Sequence, residues 1–106
     1  MIYISVIEFD KLLKEKNDFQ LVDVREHYEY NICKLRSIHI PMAEIVSRMN
    51  EIDSGKRICV LCKTGKRAEA VANLLETDYD FKDVLVVEGG IIAYAEKIDK
   101  NLEIYS

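Results

Sequence analysis

Apolar residues fall into two spacings that alternate along the chain. Val6, Phe9, Leu12 and Leu13 recur at three- to four-residue steps and predict an amphipathic helix after a short strand at Tyr3 to Ser5. Ser5 is placed to cap that helix, with Glu8 as the reciprocal partner of a capping box. Phe19 to Val24 reads as a buried strand, Ser37 to Ile40 as a strand stopped by Pro41, and 57–61 and Val84 to Val87 as two further strands. Helical patterns are expected over 27–34, Ile45 to Met49, 68–76 and Ile91 to Ile98. Strands that alternate with helices and lack a polar face imply an α/β fold, with a largely parallel central sheet and helices on both faces. Ligands of such sheets bind beyond the carboxyl ends of the strands, where Asp23, Cys62 and Gly89-Gly90 fall.

Composition adds bounds to this picture. At 106 residues, 49% hydrophobic and 32% charged, residues 1–106 are expected to form one domain around one core. There are no internal repeats or low-complexity tracts. A formal net charge of −4 gives no basic field for nucleic acid, and positive charge gathers around 63–67, which suits a small anion better. No apolar run approaches the roughly 18 residues of a membrane span, and the N-terminus lacks a targeting pattern, so a cytoplasmic location with no membrane contact is expected.

Three cysteines, an odd number, argue against a disulfide framework and suit a reducing compartment. Cys59 and Cys62 spell C-x-x-C. If Cys59 lies in the strand, however, the two Cα atoms stand about 10 Å apart on opposite faces, beyond the roughly 7 Å that a disulfide spans. A second cysteine pair is missing, and neither His27 nor His39 stands at ligand spacing, so a zinc site is not expected. Cys59 is expected in the core, and Cys33 half-buried and structural.

Cys62 stands apart from the other two. It opens Cys62-Lys63-Thr64-Gly65-Lys66-Arg67, between the apolar run Ile58-Cys59-Val60-Leu61 and the helical pattern that begins at Ala68. The first N–H groups of a helix lack intrahelical partners and carry partial positive charge, so an anion on sulfur is stabilised there. Lys63, Lys66 and Arg67 add to that field, and Gly65 admits backbone angles closed to other residues. The flanking Lys63, Thr64 and Lys66 argue against a core position for the thiol. Lys63 and Lys66 are candidates for holding an anionic donor; as exposed lysines they also fit plain solvation. Thr64 can add its hydroxyl.

Taken together, Leu21-Val22-Asp23-Val24-Arg25-Glu26, Tyr28-Glu29-Tyr30, Ile38-His39-Ile40-Pro41, the Cys62 to Arg67 loop and Glu88-Gly89-Gly90-Ile91 with Ala93-Tyr94 resemble the rhodanese-like sulfurtransferases over nearly the whole chain. The resemblance implies that Cys62 carries sulfane sulfur as a persulfide and passes it to a nucleophilic acceptor, with no metal or organic cofactor. Arg67 has two readings, a contact to substrate with Lys63, Thr64, Gly65 and Lys66, and the packing and ion-pair role behind the loop that the resemblance implies; the resemblance also implies that Asp23 lies near the site's rim and that Arg25 ties to an acidic residue for which Glu29 is the candidate. Gly89 and Gly90 let the backbone pass close to the loop and start the last helix.

Glu29-Tyr30-Asn31-Ile32-Cys33-Lys34-Leu35 and the ending Gly89 to Asp99 are similar to the rhodanese domain fused behind the adenylating domain of molybdopterin- and thiamine-pathway sulfurtransferases. That implies a donor such as thiosulfate or a cysteine desulfurase, and as partners a ubiquitin-like sulfur carrier or an adenylating protein. The chain is read either as an excised or free-standing counterpart of that domain or as alike only at the level of the rhodanese type.

Three departures stand out. Cys33-Lys34-Leu35-Arg36-Ser37 has no glycine where the family often has Gly-His-Ile-x-Gly-Ala, Ala68 replaces a common serine, and Tyr94 a common tryptophan. Two alternatives to sulfur transfer are a binding module of the same fold with an idle thiol and a cysteine-dependent phosphatase. The phosphatases of related fold carry a loop one residue longer than the six from Cys62 to Arg67, to wrap a tetrahedral phosphate.

Overall fold

The apolar runs assemble into one five-stranded sheet in the computed structural model, which describes residues 1–15 and 18–105. The strands are β1 (Ile2–Ile4), β2 (Phe19–Asp23), β3 (Ile38–His39), β4 (Arg57–Leu61) and β5 (Val84–Val87). Their order is β1-β5-β4-β2-β3 and every neighbouring pair is parallel, with Asp23 opposite both Leu61 and His39. The helices are α1 (Val6–Lys14), α2 (His27–Ile32), α3 (Lys66–Asp78) and α4 (Gly90–Lys97).

A strand buried on both sides sends alternate residues into different cores, and β4 does so. Ile58 and Val60 join Val71, Ala72 and Leu75 of α3, whereas Cys59 and Leu61 join Phe9 of α1 and Ile91 and Tyr94 of α4. Helices therefore cover both faces, as the α/β reading anticipates. Cys59 and Cys62 lie in opposite cores, and all three cysteines are free thiols. Burial pushes the Cys59 thiol up to about 12, which keeps it neutral and inert. Cys33, expected half-buried, is buried.

Element ends move by a residue or two from the expected ones. Ser5 leaves the first strand to cap α1, its Oγ accepting from the Glu8 N–H at 3.1 Å. One expected element does not form. Over Ile45–Met49 the chain makes no α-helix: Met42–Glu44 and Met49–Glu51 are short 3-10 turns joined by a non-helical turn. Ile45 and Ile52 are the buried anchors of this stretch. Between them Ser47 Oγ donates back to the Glu44 carbonyl, and the Arg48 guanidinium binds Glu44 on one side and Glu51 on the other. Local bonds of this kind compete with a continuing helix.

The last helix buttresses the cysteine loop. At its start the Ile91 N–H donates to the Cys62 carbonyl (2.9 Å) and the Ile92 N–H to that of Lys63 (3.2 Å). Gly90, at φ +61°, makes this approach possible, because a Cβ there would fall 2.5 Å from the Cys62 carbonyl oxygen and collide with that of Lys63. Gly90→Ala is accordingly expected to cost about 3 kcal/mol, from the left-handed backbone and the overpacking together. Gly55→Ala, which meets only the Asp53 carboxylate at 3.3 Å, serves as the control, and urea unfolding of both variants checks the difference.

Candidate active site

Leu61 ends β4 and Lys66 begins α3, so the chain must turn from strand to helix within four residues, Cys62 to Gly65. Gly65 achieves this in the left-handed region at φ +110°, as the N-cap of α3. The turn aims two backbone donors at one sulfur: Cys62 Sγ accepts from the Gly65 N–H at 3.0 Å and from the Ala68 N–H at 3.3 Å. The helix starts two residues earlier than the apolar pattern implies, because a glycine cap leaves Lys66 and Arg67 in the first turn. Their N–H groups, like those of any first turn, have no intrahelical acceptor.

Cys62 itself is 0% exposed and belongs to the α3-side core. The flanking polar residues had suggested otherwise. Their side chains face outwards, with Thr64 and Lys66 exposed and Lys63 half-buried, while the cysteine alone turns inwards under the loop. The result is a buried sulfur held by two backbone amides.

Beneath the loop lies a set of buried charges. Arg67 forms a two-pronged pair with Glu29 of α2, Nη1 to Oε1 at 2.6 Å and Nη2 to Oε2 at 2.9 Å. Its role behind the loop is thus to clamp α3 to α2. Arg25 is fully buried, and its ion pair goes to Asp23 rather than to the Glu29 carboxylate expected from the resemblance: Nη2 reaches Asp23 Oδ2 at 2.8 Å and Nε reaches Oδ1 at 3.0 Å. Asp23 is as fully buried, not at a rim. To Glu29, Arg25 offers only a bond to the backbone carbonyl, at 3.3 Å. The turn after β2 folds the Arg25 N–H onto Asp23 Oδ1 at 3.0 Å, and the guanidinium meets the same carboxylate.

Arg25 also closes the segment that lacks the family's glycines, donating to the Cys33 carbonyl at 2.7 Å, while Ser37 Oγ donates to that of Leu35 at 3.1 Å. Tyr94, in the tryptophan's place, packs edge-on against Phe9 and donates to Asp10 at 2.9 Å. Gly89 is the left-handed cap of α4, beside Gly90.

One participant gave no signal in the sequence. Tyr105, in the segment after α4, donates its hydroxyl to Glu29 Oε2 at 2.8 Å and accepts from Arg25 Nη1 at 3.2 Å, and Lys63 Nζ stands 5.0 Å from its ring centre. Ile98, Leu102 and Tyr105 stand at four- and three-residue steps, but that spacing does not show that the Tyr105 phenol reaches Glu29 and Arg25. Burial first, and then the bond to Glu29, push its phenol up to about 12 against the opposing influence of Arg25. His39 is the other addition: its Nε2 lies 2.7 Å from the Arg25 carbonyl and its ring stacks on Tyr30.

A five-stranded parallel sheet with a six-residue cysteine loop at its carboxyl end narrows the comparison with known proteins. The rhodanese-like domain pattern matches residues 5–97. The chain belongs to the rhodanese-like domain family. Among its relatives is the adenylyltransferase and sulfurtransferase MOCS3 of Drosophila grimshawi, 30% identical over 96% of this chain and 24% of that protein. Another is a tRNA uridine(34) hydroxylase of Prochlorococcus marinus subsp. pastoris, 30% identical over 97% of this chain and 36% of the relative. The chain thus spans well under half of either relative. A rhodanese-like domain protein from Staphylococcus aureus superposes over 100% of both chains with a TM-score of 0.82 at 31% identity. No helix among the described residues is long and apolar enough to cross a membrane.

The buried pairs generate two predictions. Arg67, against an opposing contribution from burial and with help from the Glu26 N–H and Tyr105, holds the Glu29 carboxyl down at about 2. Since the ordinary value is 4.5, this group's contribution to stability is whole above about pH 4.5 and is lost as pH falls towards 2. Unfolding free energies measured from pH 6 to 2 should show a loss of up to about 3 kcal/mol from this group, absent in Glu29→Gln. Arg25→Ala strands the Asp23 carboxylate in the core and is expected to cost about 3–5 kcal/mol in the same assay at pH 7. The stability loss is its main effect, and a large loss of activity at unchanged melting temperature would contradict the structural role.

Proposed function

We propose that the chain is a sulfurtransferase that takes up sulfane sulfur as a persulfide on Cys62 and passes it to a thiophilic or protein acceptor. The convergence of the Gly65 and Ala68 N–H groups on Cys62 Sγ carries this reading, since donors held in place by the fold stabilise anionic sulfur without rearranging. With thiosulfate, the Cys62 thiolate attacks the outer sulfur. A new S–S bond forms, the bond between the two thiosulfate sulfurs breaks, and sulfite leaves with the electron pair, so the negative charge passes to the terminal sulfur of the persulfide. The N–H groups of Lys66 and Arg67 have no helical acceptor and are the natural receivers of that charge. A nucleophilic acceptor then takes the terminal sulfur and returns the Cys62 thiolate.

The loading step needs nothing beyond donor and thiol. Thiosulfate or the persulfide of a cysteine desulfurase suits the cationic mouth formed by Lys63 and Lys66, and Thr64 stands at the same mouth. Because Cys62 is fully buried, the donor must deliver its end sulfur under the loop, which favours a slim sulfane group over a bulkier centre. The name of the MOCS3 relative joins adenylyl transfer to sulfur transfer. That supports a protein acceptor of the ubiquitin-like carrier type, activated by an adenylating partner.

The deciding experiment is intact mass after exposure of the reduced protein to thiosulfate, or to a cysteine desulfurase with cysteine. A gain of about 32 Da, one sulfur atom, reversed by reductant and absent in Cys62→Ser, is expected. No gain from either donor would overturn sulfur transfer and leave a binding module with an idle thiol.

A further inference from the structure

The ammonium of the loop cation Lys63 is seated on another side chain, and that seat lies outside the family match. Its Nζ stands 5.0 Å from the centre of the Tyr105 ring, and Tyr105 follows the matched residues 5–97. An ammonium over an aromatic face is held by the ring's negative quadrupole. The ring in turn is fixed at its far end, where the hydroxyl donates to Glu29 and accepts from Arg25, both fully buried. The segment behind it is anchored as well: Ile98, Leu102 and Tyr105 pack against the core of α1 and α4, and the Leu102 N–H donates to the Asp99 carbonyl at 3.2 Å. On its flexible four-carbon stem an unseated ammonium has no fixed position.

The geometry points to Tyr105 as a positioning residue: its ring, locked by Glu29 and Arg25, holds the ammonium of Lys63, the neighbour of Cys62, in one place and so makes the site selective for anionic reagents. The inference deepens the sulfurtransferase reading, for thiosulfate is such an anion, yet it is tested without sulfur transfer. Tyr105 touches no reacting atom and acts through Lys63.

The test compares alkylation of Cys62 by iodoacetate, an anion, with that by iodoacetamide, its neutral counterpart, followed by peptide mass in the full chain. Tyr105→Leu and Lys63→Ala are each expected to lower the iodoacetate-to-iodoacetamide rate ratio by about two- to fivefold, the size of a partly exposed cation–ring contact. The double variant should fall no further than either single one, because both remove the same contact. Tyr105→Phe, which keeps the ring but loses the hydroxyl that locks it, should give a ratio between those of the wild type and Tyr105→Leu, and a ratio equal to the wild type's would overturn the lock.

An unchanged ratio in Tyr105→Leu overturns the proposal. So does a rise of both rates together, the mark of a merely loosened fold, or a double variant whose ratio falls by the product of the two. Should Tyr105→Leu fail to fold, the wild type still decides: the side-chain protons beside the Lys63 nitrogen must show an upfield ring-current shift in the NMR spectrum, and its absence overturns the seat. Wild-type loading by thiosulfate bears on the carrier reading alone, and the alkylation ratio on Tyr105 alone, so the two fail separately.

Discussion

The two-pronged pair between Glu29 and Arg67 is the tie on which the loop geometry depends. Arg67 sits in the first turn of α3, and Cys62 Sγ takes one of its two amide donors, Ala68, from the next residue. If that turn were free to swing, the amide cage would open. Glu29 is the right anchor because it is fixed twice more, by the Glu26 N–H at 3.0 Å and by the Tyr105 hydroxyl. A bidentate guanidinium–carboxylate pair sets direction as well as distance, which a lysine could not do.

Burying charge is costly unless every charge is paired, and here the pairing is complete. Asp23 and Arg25 cancel, Glu29 and Arg67 cancel, and the Tyr105 hydroxyl joins the two pairs by donating to one and accepting from the other. No buried side-chain nitrogen or oxygen among the described residues lacks a hydrogen-bond partner. Such a network adds little net stability over an apolar core, yet removing one member is expensive, so its use is in specifying a single arrangement. That arrangement spans both layers: Arg67 belongs to the helix on one face of the sheet, while Tyr105 packs with the core on the other. The network therefore wraps around the carboxyl ends of the strands and holds the cysteine loop from both sides.

The legible parts of this protein are those whose signal is local or periodic. β2, β4 and β5 announced themselves as apolar runs because strands in a covered parallel sheet have no polar side. Ser5 marked a helix start, and Gly65 a left-handed turn in the loop, through chemistry carried by one residue. Illegible parts required a third dimension. Ile45 and Met49 have helical spacing, but Ser47 and Arg48 spend their bonds on the turns instead. Asp23 and Glu29 compete for Arg25, and nothing in the spacing says that a turn of two residues decides for Asp23. Cys62 looked exposed because its neighbours are polar; a loop that sends its lysines out sends its cysteine in.

That burial bears on which reagents can reach the Cys62 sulfur. A thiolate open to solvent meets any oxidant or disulfide, and its reactivity follows exposure as much as ionisation. Under the loop, Cys62 gives up exposure while the Gly65 and Ala68 amides supply the stabilisation that water would otherwise give an anion. The trade favours reagents able to insert a single sulfur past Lys63, Thr64 and Lys66, and disfavours bulky ones. The tie at Arg67 and the abutment at Gly90 hold the loop at its two ends, so whatever opening loading demands falls on the residues between them. In a loop anchored at Cys62 by the Ile91 N–H and at Arg67 by Glu29, the freest residues are Thr64 and Lys66, which carry no buried side chain. The same six residues thus divide into tied ends and an exposed middle, and on the proposed sulfur-transfer reading the ends would aim the sulfur while the middle would admit the donor.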